Sequence, residues 1–432
     1  AHLDRTFGSG GNRQTFTISA WVKRGNISSV QYIMSASEVT NNVFRFNADN
    51  TFTFYSTFSG SVYGLTTAAV FRDVSSWYHV VGVMDTTNST AANRLRFYVN
   101  GDRQYGGTDT VSSITQSTNS DWNQAQEHQI GRYWSGGGQP LDAYLAEFNF
   151  VDGQALEPTS FGETKAGIWI PKNYTSSHGT TGFYLPFDDS SAIGDDESAN
   201  TNDFTPNGVA ATDVMLDSPT NNWATMNPLD GNGPTISEGN LKVFGDTSYS
   251  VFEGFKGTFP MSSGKWYWEV YIDVGGFTQT GITPTTNTAV GSSTNLSYHT
   301  DAMTYESNGN KAIGTGGTGT APSGRTTTSY GASYTDGDII GVALDLDSAT
   351  TTLTFYKNNS TQGTAFSSLA NDEYVALHTG ITNNFGIFNF GQDSAFAGKE
   401  TAQGNTDDNG IGDFYYSPPS GFLALCSANL PD

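Results

Sequence analysis

Glu269 and Asp273, four residues apart, are the nearest approach in this sequence to a carboxylate pair on one strand face. Glycoside hydrolysis needs its two carboxyls about 5–9.5 Å apart. Residues four apart on a strand have α-carbons about 13 Å apart, so the spacing is poor. The pair is expected to lie exposed beside Tyr267 and Tyr271. The histidines, His2, His79, His128, His178, His299 and His378, are scattered without metal-ligand spacing. His79 shares a strand face with Trp77, Val81 and Val83, which suits a satisfied core or edge histidine better than a base. No G-x-S-x-G, P-loop or dinucleotide fingerprint occurs, and the glycine run Gly314–Gly319 lacks the P-loop lysine. The expectation is a protein that is not an enzyme.

Binding chemistry has more candidates. Sugar recognition needs exposed rings to stack on sugar faces, with amides and carboxylates to fix the hydroxyls. Tyr133 and Trp134, followed by Gly136–Gly138 and Asp142, offer that combination, as does Trp122 in SDWNQ. Each ring also reads as packing. Carboxylates crowd between Asp188 and Asp203, where Asp188, Asp189, Asp195, Asp196, Glu197 and Asp203 could supply the hard oxygens that Ca²⁺ prefers. Asp85 and Asp142 lie near strand ends. None matches an EF-hand loop, and a solvated acidic loop is the alternative reading.

The elements that must position these residues are strands. A phrase occurs twice: YHVVGVMD…LRFYVN from Tyr78 to Asn100, and IIGVALDLD…LTFYKN up to Asn358. In each, Gly-Val leads to an aspartate (Asp85, Asp345), a polar turn, then Leu-x-Phe-Tyr-x-Asn. Period-two alternation puts Leu95, Phe97 and Val99 on one face, and Leu353 and Phe355 repeat it, so both read as antiparallel hairpins. FTISAWV alternates with Phe16, Ile18, Ala20 and Val22 inward. KWYWEVYIDV places Trp266, Trp268, Val270, Ile272 and Val274 on one face. Short strands separated by Gly, Asn and Ser turns are the mark of a β-sandwich.

The chain has 432 residues, with 50 Gly, 28 Phe and 21 Tyr, which favours two all-β cores. Lys and Arg total 19 against 42 Asp and Glu, a formal net charge of -23, so neither nucleic acid nor an anionic membrane is an expected partner. Cys426 is the only cysteine and excludes an intrachain disulfide. No apolar run is long enough to span a bilayer. The chain opens on Ala1 with no signal peptide, so its start is expected to be processed or partly captured, and Asp432 reads as a boundary inside a longer product.

The set FTISAWVKRG, WYHVVGVMD, LRFYVNG, HQIGR and LDAYLAEFNFVDGQAL resembles the laminin-G-like, concanavalin-A-like lectin/glucanase superfamily over residues 1–162. The phrase AEFNFVDGQALEPTSFGE resembles a version found in tail and structural proteins of marine bacteriophages. GKWYWEVYIDV, GDIIGVALDLD, LTFYKNN and ITNNFGIFNFGQ resemble a SPRY domain over 229–396. The E-x-D-x-x-E string of laminarinase-like relatives is missing. Rim-bound Ca²⁺ is what the laminin-G resemblance implies, and loop-borne partner surfaces are what the SPRY resemblance implies; here the latter would be Gly291–Tyr334.

The expected architecture is two concanavalin-A-like, jelly-roll sandwiches (1–162 and 229–396), an aromatic and acidic connector (163–228), and a tail (397–432) whose apolar patch could dock back. The expected function is a virion surface protein, in a tail fibre, spike or capsid appendage, extracellular and without membrane insertion. It would assemble as a homo-oligomer, for instance a trimer, with other virion proteins, and bind a host glycan or protein. The rivals are a secreted bacterial glycan-binding or glycan-hydrolysing protein and a purely structural decoration.

Overall fold

The computed structural model describes residues 1–430 apart from 37–40, 134–137, 232–234, 245–252, 275, 288–295, 317–323, 371–372 and 382–384. The described residues form strands and one-turn 3-10 helices, with no α-helix among them. The chain divides into two compact units, Ala1–Val214 with Ser218–Thr220, and Met215–Asp217 with Asn221–Asp432.

The first unit pairs an eight-stranded with a six-stranded sheet. The strand Thr15–Arg24 runs between Tyr78–Asp85 and Ala143–Asp152 in the six-stranded sheet. Its alternate residues Phe16, Ile18, Ala20 and Val22 enter the core and meet Phe44, Phe46, Phe52 and Phe54 from the other sheet. Alternation alone thus places this core. The expected connector behaves differently over its first part, because its short strands complete this unit. Phe183–Leu185 extends the six-stranded sheet beside Ala143–Asp152, and Thr205–Asn207 extends the eight-stranded sheet beside His2–Thr6. Burial of Phe183, Leu185 and Phe204 in the same core accounts for the aromatic density of that stretch.

The twice-used phrase has a structural cause. Asn100 and Asn358 both adopt left-handed backbone, with φ of 49° and 46°, and each opens a two-residue hairpin turn. Asn100 Oδ1 accepts the His79 N–H at 2.8 Å, and its own N–H donates to the His79 carbonyl. Asn358 does the same with Ile339, again at 2.8 Å. One side chain therefore clamps three strands, which explains the asparagine that closes both copies. At the other end, Asp345 accepts from the Ser348 N–H and hydroxyl, and Asp85 accepts from the Thr87 hydroxyl.

The second unit stacks a seven-stranded sheet on an eight-stranded one. Trp266, Trp268, Val270 and Ile272 of Lys265–Val274 enter its core, while Val274 at the strand end is exposed. The opposite face of this strand is covered by the C-terminal tail. Phe396 and Phe414 are buried over Tyr267, Ala343, Ile339 and Ile387, and Leu423–Ala424 pairs in parallel with Trp266–Tyr267.

This corrects the expectation for Glu269. It is fully buried beneath the tail, and its carboxylate accepts the Tyr415 N–H at 2.9 Å, the Tyr416 N–H at 2.8 Å and the Asn389 side-chain amide at 3.1 Å. Asp273 is likewise not a free partner, since it pairs with Lys242 and Lys399, each at 2.6 Å. Burial pushes the Glu269 carboxyl up from 4.5 to about 7, against the downward pull of the N–H donors of Tyr416, Tyr415 and Asn389 and the Tyr267 hydroxyl.

Two predictions follow from these contacts. Asn100→Ala removes the acceptor of the His79 N–H and leaves alanine at positive φ, a cost of about 2 kcal/mol in denaturant unfolding. A loss below about 0.5 kcal/mol would show that other contacts hold the turn. For Glu269, the raised pKa means that its stabilising contribution is complete below pH 4.5 and is lost as pH rises through about 7. Cys426, buried in the tail, reports this. Its reaction with a thiol reagent, normalised to the denatured chain, should quicken from pH 6 to pH 8, and Glu269→Gln should flatten that trend. An unchanged trend in the variant would exclude Glu269 as the titrating group.

Candidate functional site

The outward face of the eight-stranded sheet in the first unit carries a polar and aromatic band. Strand phase creates it: in NVFRF and FTFYSTF the phenylalanines Phe44, Phe46, Phe52 and Phe54 turn inward, so Val43, Arg45, Thr53 and Tyr55 turn outward. Register aligns Tyr32, Arg45, Thr53 and Thr66 across four neighbouring strands. At usual strand spacing that row spans about 14 Å, the length of a short oligosaccharide.

Tyr32 organises one end of the row. Its hydroxyl accepts from Arg45 Nη1, its ring lies 5.0 Å from the Arg45 guanidinium carbon, and Tyr133 packs on it at 4.7 Å between centroids. Tyr32 is buried, whereas Arg45 and Tyr133 are half-exposed. Burial raises the Tyr32 pKa, and Arg45 opposes the rise. Hydroxyls continue the row: Thr53 and Thr66 Oγ1 lie 2.8 Å apart, and Thr66 donates to the Tyr55 hydroxyl at 3.0 Å. Toward the other edge, Arg132 Nε donates to Gln129 Oε1 at 2.9 Å and the Gln129 amide donates to Glu127. Asp4 stands on the strand next to Glu127, near His2, whose Nε2 is 3.6 Å from its carboxylate.

Of the residues expected from sequence, Tyr133 belongs to this band. Trp134 lies outside the described residues. Trp122 cannot stack on a sugar, because it is fully buried against Phe16 and Phe54 and its indole N–H donates to the Tyr55 carbonyl at 2.9 Å. Asp142 accepts from the Asn26 side-chain amide at 2.5 Å, and burial raises its pKa. The members that sequence reading missed, Tyr32, Arg45, Thr53, Tyr55, Thr66 and Gln129, were signalled only by the polar phase of strands whose apolar phase was read as core.

The expected calcium ligands do not converge on an ion. Asp196 accepts four donors: Tyr184 N–H and Ser198 N–H at 2.8 Å each, Ser198 hydroxyl at 2.9 Å and Asn202 N–H at 2.7 Å. These match the four lone-pair sites of a carboxylate. Asp203 accepts the Asp196 N–H at 3.0 Å, and Asp189 accepts the Ser191 N–H and hydroxyl. Asp195 is exposed, and Asp188 appears among the charges acting on Glu147 and Tyr184. Among the described residues, no group of three or more His, Cys, Asp or Glu is placed to hold a metal.

A buried serine–histidine contact invites comparison with a nucleophile–base pair. Ser19 Oγ is 2.8 Å from His79 Nε2. The other ring nitrogen, Nδ1, accepts from Trp169 Nε1–H at 3.0 Å, and an indole can only donate. The proton of the neutral ring is therefore on Nε2, where it donates to Ser19 and cannot take the serine proton. The ring stacks between Trp21 and Trp169, and burial pushes its pKa down to about 3. His79 is a satisfied structural histidine.

Comparison with known proteins agrees with this architecture. Residues 5–160 match the family model for the concanavalin A-like lectin/glucanases superfamily, and residues 265–393 match that for the SPRY domain. No curated protein matches the chain by sequence. Similar solved structures include the SPRY domain of human HERC1, at 17% identity, covering 38% of this chain and 96% of that one, with a TM-score of 0.30. A SAP-like pentraxin from Limulus polyphemus gives 19% identity, 36% and 70% coverage and a TM-score of 0.26. A Bacteroides ovatus protein provisionally described as carbohydrate binding gives 16% identity, 48% and 56% coverage and a TM-score of 0.35. The chain carries a concanavalin A-like lectin/glucanase domain followed by a SPRY domain.

Proposed function

We propose that the chain is a glycan-binding protein without catalytic activity, and that it recognises sugars on the outward face of the eight-stranded sheet in its lectin-type domain. The observation that carries this is the group Tyr32–Arg45–Tyr133 beside the hydroxyls of Thr53, Thr66 and Tyr55. It combines a half-exposed ring with donors and acceptors on a rigid sheet, which is what a sugar face and its hydroxyls require. Asp189, Asp196 and Asp203 accept main-chain N–H groups, and the reading assigns calcium no part.

We place the protein, as part of the same proposal, on an extracellular virion surface, where copies assembled in a homo-oligomer would make weak sites effective together. Support for that placement is the resemblance of AEFNFVDGQALEPTSFGE and nothing in the fold.

Hydrolysis is the second reading, and one observation favours it. Asp4 faces Gln129 across the sheet and Glu127 is two residues further along that strand, so two carboxylates stand diagonally on one face. Diagonal neighbours have α-carbons about 7–8 Å apart, within reach of glycosidase separations of about 5–9.5 Å.

A glycan array followed by calorimetry tests both readings. Binding without release of reducing ends is expected, and Tyr133→Ala should weaken it about three- to tenfold, the worth of one aromatic contact. Turnover abolished by Asp4→Asn or Glu127→Gln would overturn the non-catalytic reading. Light scattering of the purified chain, with and without EDTA, should show an oligomer indifferent to chelation.

A further inference from the structure

We propose that the part of this face around Arg45 is an anion subsite, which takes the carboxylate or sulfate of an acidic sugar. The inference rests on the glycan-binding reading and names the class of glycan.

The argument begins with the pairing of cations in a chain whose net charge is -23. Some cations find a carboxylate: Arg13, Arg96, Lys242, Lys256, Lys265, Arg325, Lys357 and Lys399 do, at 2.6 to 3.2 Å. Others, Arg5, Arg24, Arg94, Arg103 and Arg132 among them, are held by carbonyl or amide oxygens. Arg45 has neither: among the described residues its guanidinium has one hydrogen-bond partner, the neutral Tyr32 hydroxyl, and its Nε is buried with no acceptor. A half-buried guanidinium left this way keeps unused Nη donors and an uncompensated charge, and a planar anion at the Nη groups meets both, while the buried Nε stays out of a ligand's reach.

The surroundings fit a sugar-borne anion better than a free one. Tyr32 holds Arg45 from below through ring and hydroxyl, which fixes the direction in which the remaining N–H groups point. Tyr133 lies against the same ring and offers a stacking surface beside the charge. On the other side, Thr53 and Thr66 lie in register with Arg45, and the half-exposed Thr66 and Tyr55 present linked hydroxyls beside it. Asp4 and Glu127 stand on the strands of the opposite edge, beyond Tyr32's strand. That layout gives the face a polarity: the acidic group sits at Arg45, and neutral hydroxyls extend from it away from the carboxylates.

The test uses the full chain and four probes: tetragalacturonate, its methyl ester, an alginate tetramer and a sulfated galactan tetramer. The first two have the same rings and length and differ in charge. Calorimetry should show tetragalacturonate binding at least tenfold more tightly than the ester, with affinity falling as salt rises. Arg45→Gln should remove that preference and the salt dependence, bringing the acid down to the affinity of the ester. Arg45→Lys, which keeps the charge and loses the fork, should retain the salt dependence at reduced affinity. Thermal unfolding of both variants guards against misfolding. A response to the sulfated probe alone would assign the subsite to sulfate, and a response to the uronates alone to carboxylate. Equal affinity for acid and ester, unchanged in Arg45→Gln, would overturn the anion subsite and leave the glycan reading standing. Binding of none of the four would overturn the anion subsite, and silence on a neutral glycan array as well would sink both.

Discussion

A carboxylate accepting main-chain N–H groups is the interaction on which this protein most depends. The chain has no disulfide, and long stretches of both units run outside regular strands, so their backbone donors need acceptors. Asp152 accepts from the N–H groups of Asn12, Thr180 and Thr181, joining the chain near its start to the segment that completes the sheets. Asp407 accepts from Asn409, Ile411 and Ala424, Asp413 from Ser394 and Gly404, and Asp393 from Ala395 and Ala397. Each is a charge-assisted bond, stronger than a neutral one. A surplus of acids over cations is therefore compatible with a well-ordered fold, because many of the acids are neutralised by amide dipoles rather than by lysine or arginine.

The same interaction explains why an acidic cluster looked like a metal site. Asp196 and Asp203 sit close together in sequence because the chain there makes a compact loop whose N–H groups point inward at them. Composition reports only that carboxylates are near one another. Whether their lone pairs face an ion or a peptide depends on the path of the backbone between them.

Covering of sheet faces decides where recognition can occur. In the first unit, the hairpin of Gly162–Lys165 and Ile168–Pro171 brings Trp169 onto His79 on the outward side of the six-stranded sheet. In the second, the tail seals the outward face around Glu269. The outward face of the eight-stranded sheet in the first unit keeps Arg45, Tyr55, Thr66 and Tyr133 half-exposed. Its neighbours Thr53 and Gln129 are nearly buried, so the face is ordered before any ligand arrives.

Sequence by itself determined the two sandwiches and the hairpins at their centres, because inward and outward residues alternate with period two and that alternation is local. Phe16 to Val22, Trp266 to Ile272 and the paired Leu-x-Phe motifs each carry their own face assignment. It also marked Asn100 and Asn358 by repetition, though the clamp they form spans strands that no local pattern relates. What only the tertiary structure decided was which outward faces are covered. Trp122 read either as a sugar-stacking ring or as packing and Glu269 read as exposed, yet the strands that bury the one and the tail that buries the other come from far along the chain. Tyr32, Arg45 and Tyr133 come together for the converse reason: register between strands and the return of a loop are long-range properties, set by the packing of the whole sheet.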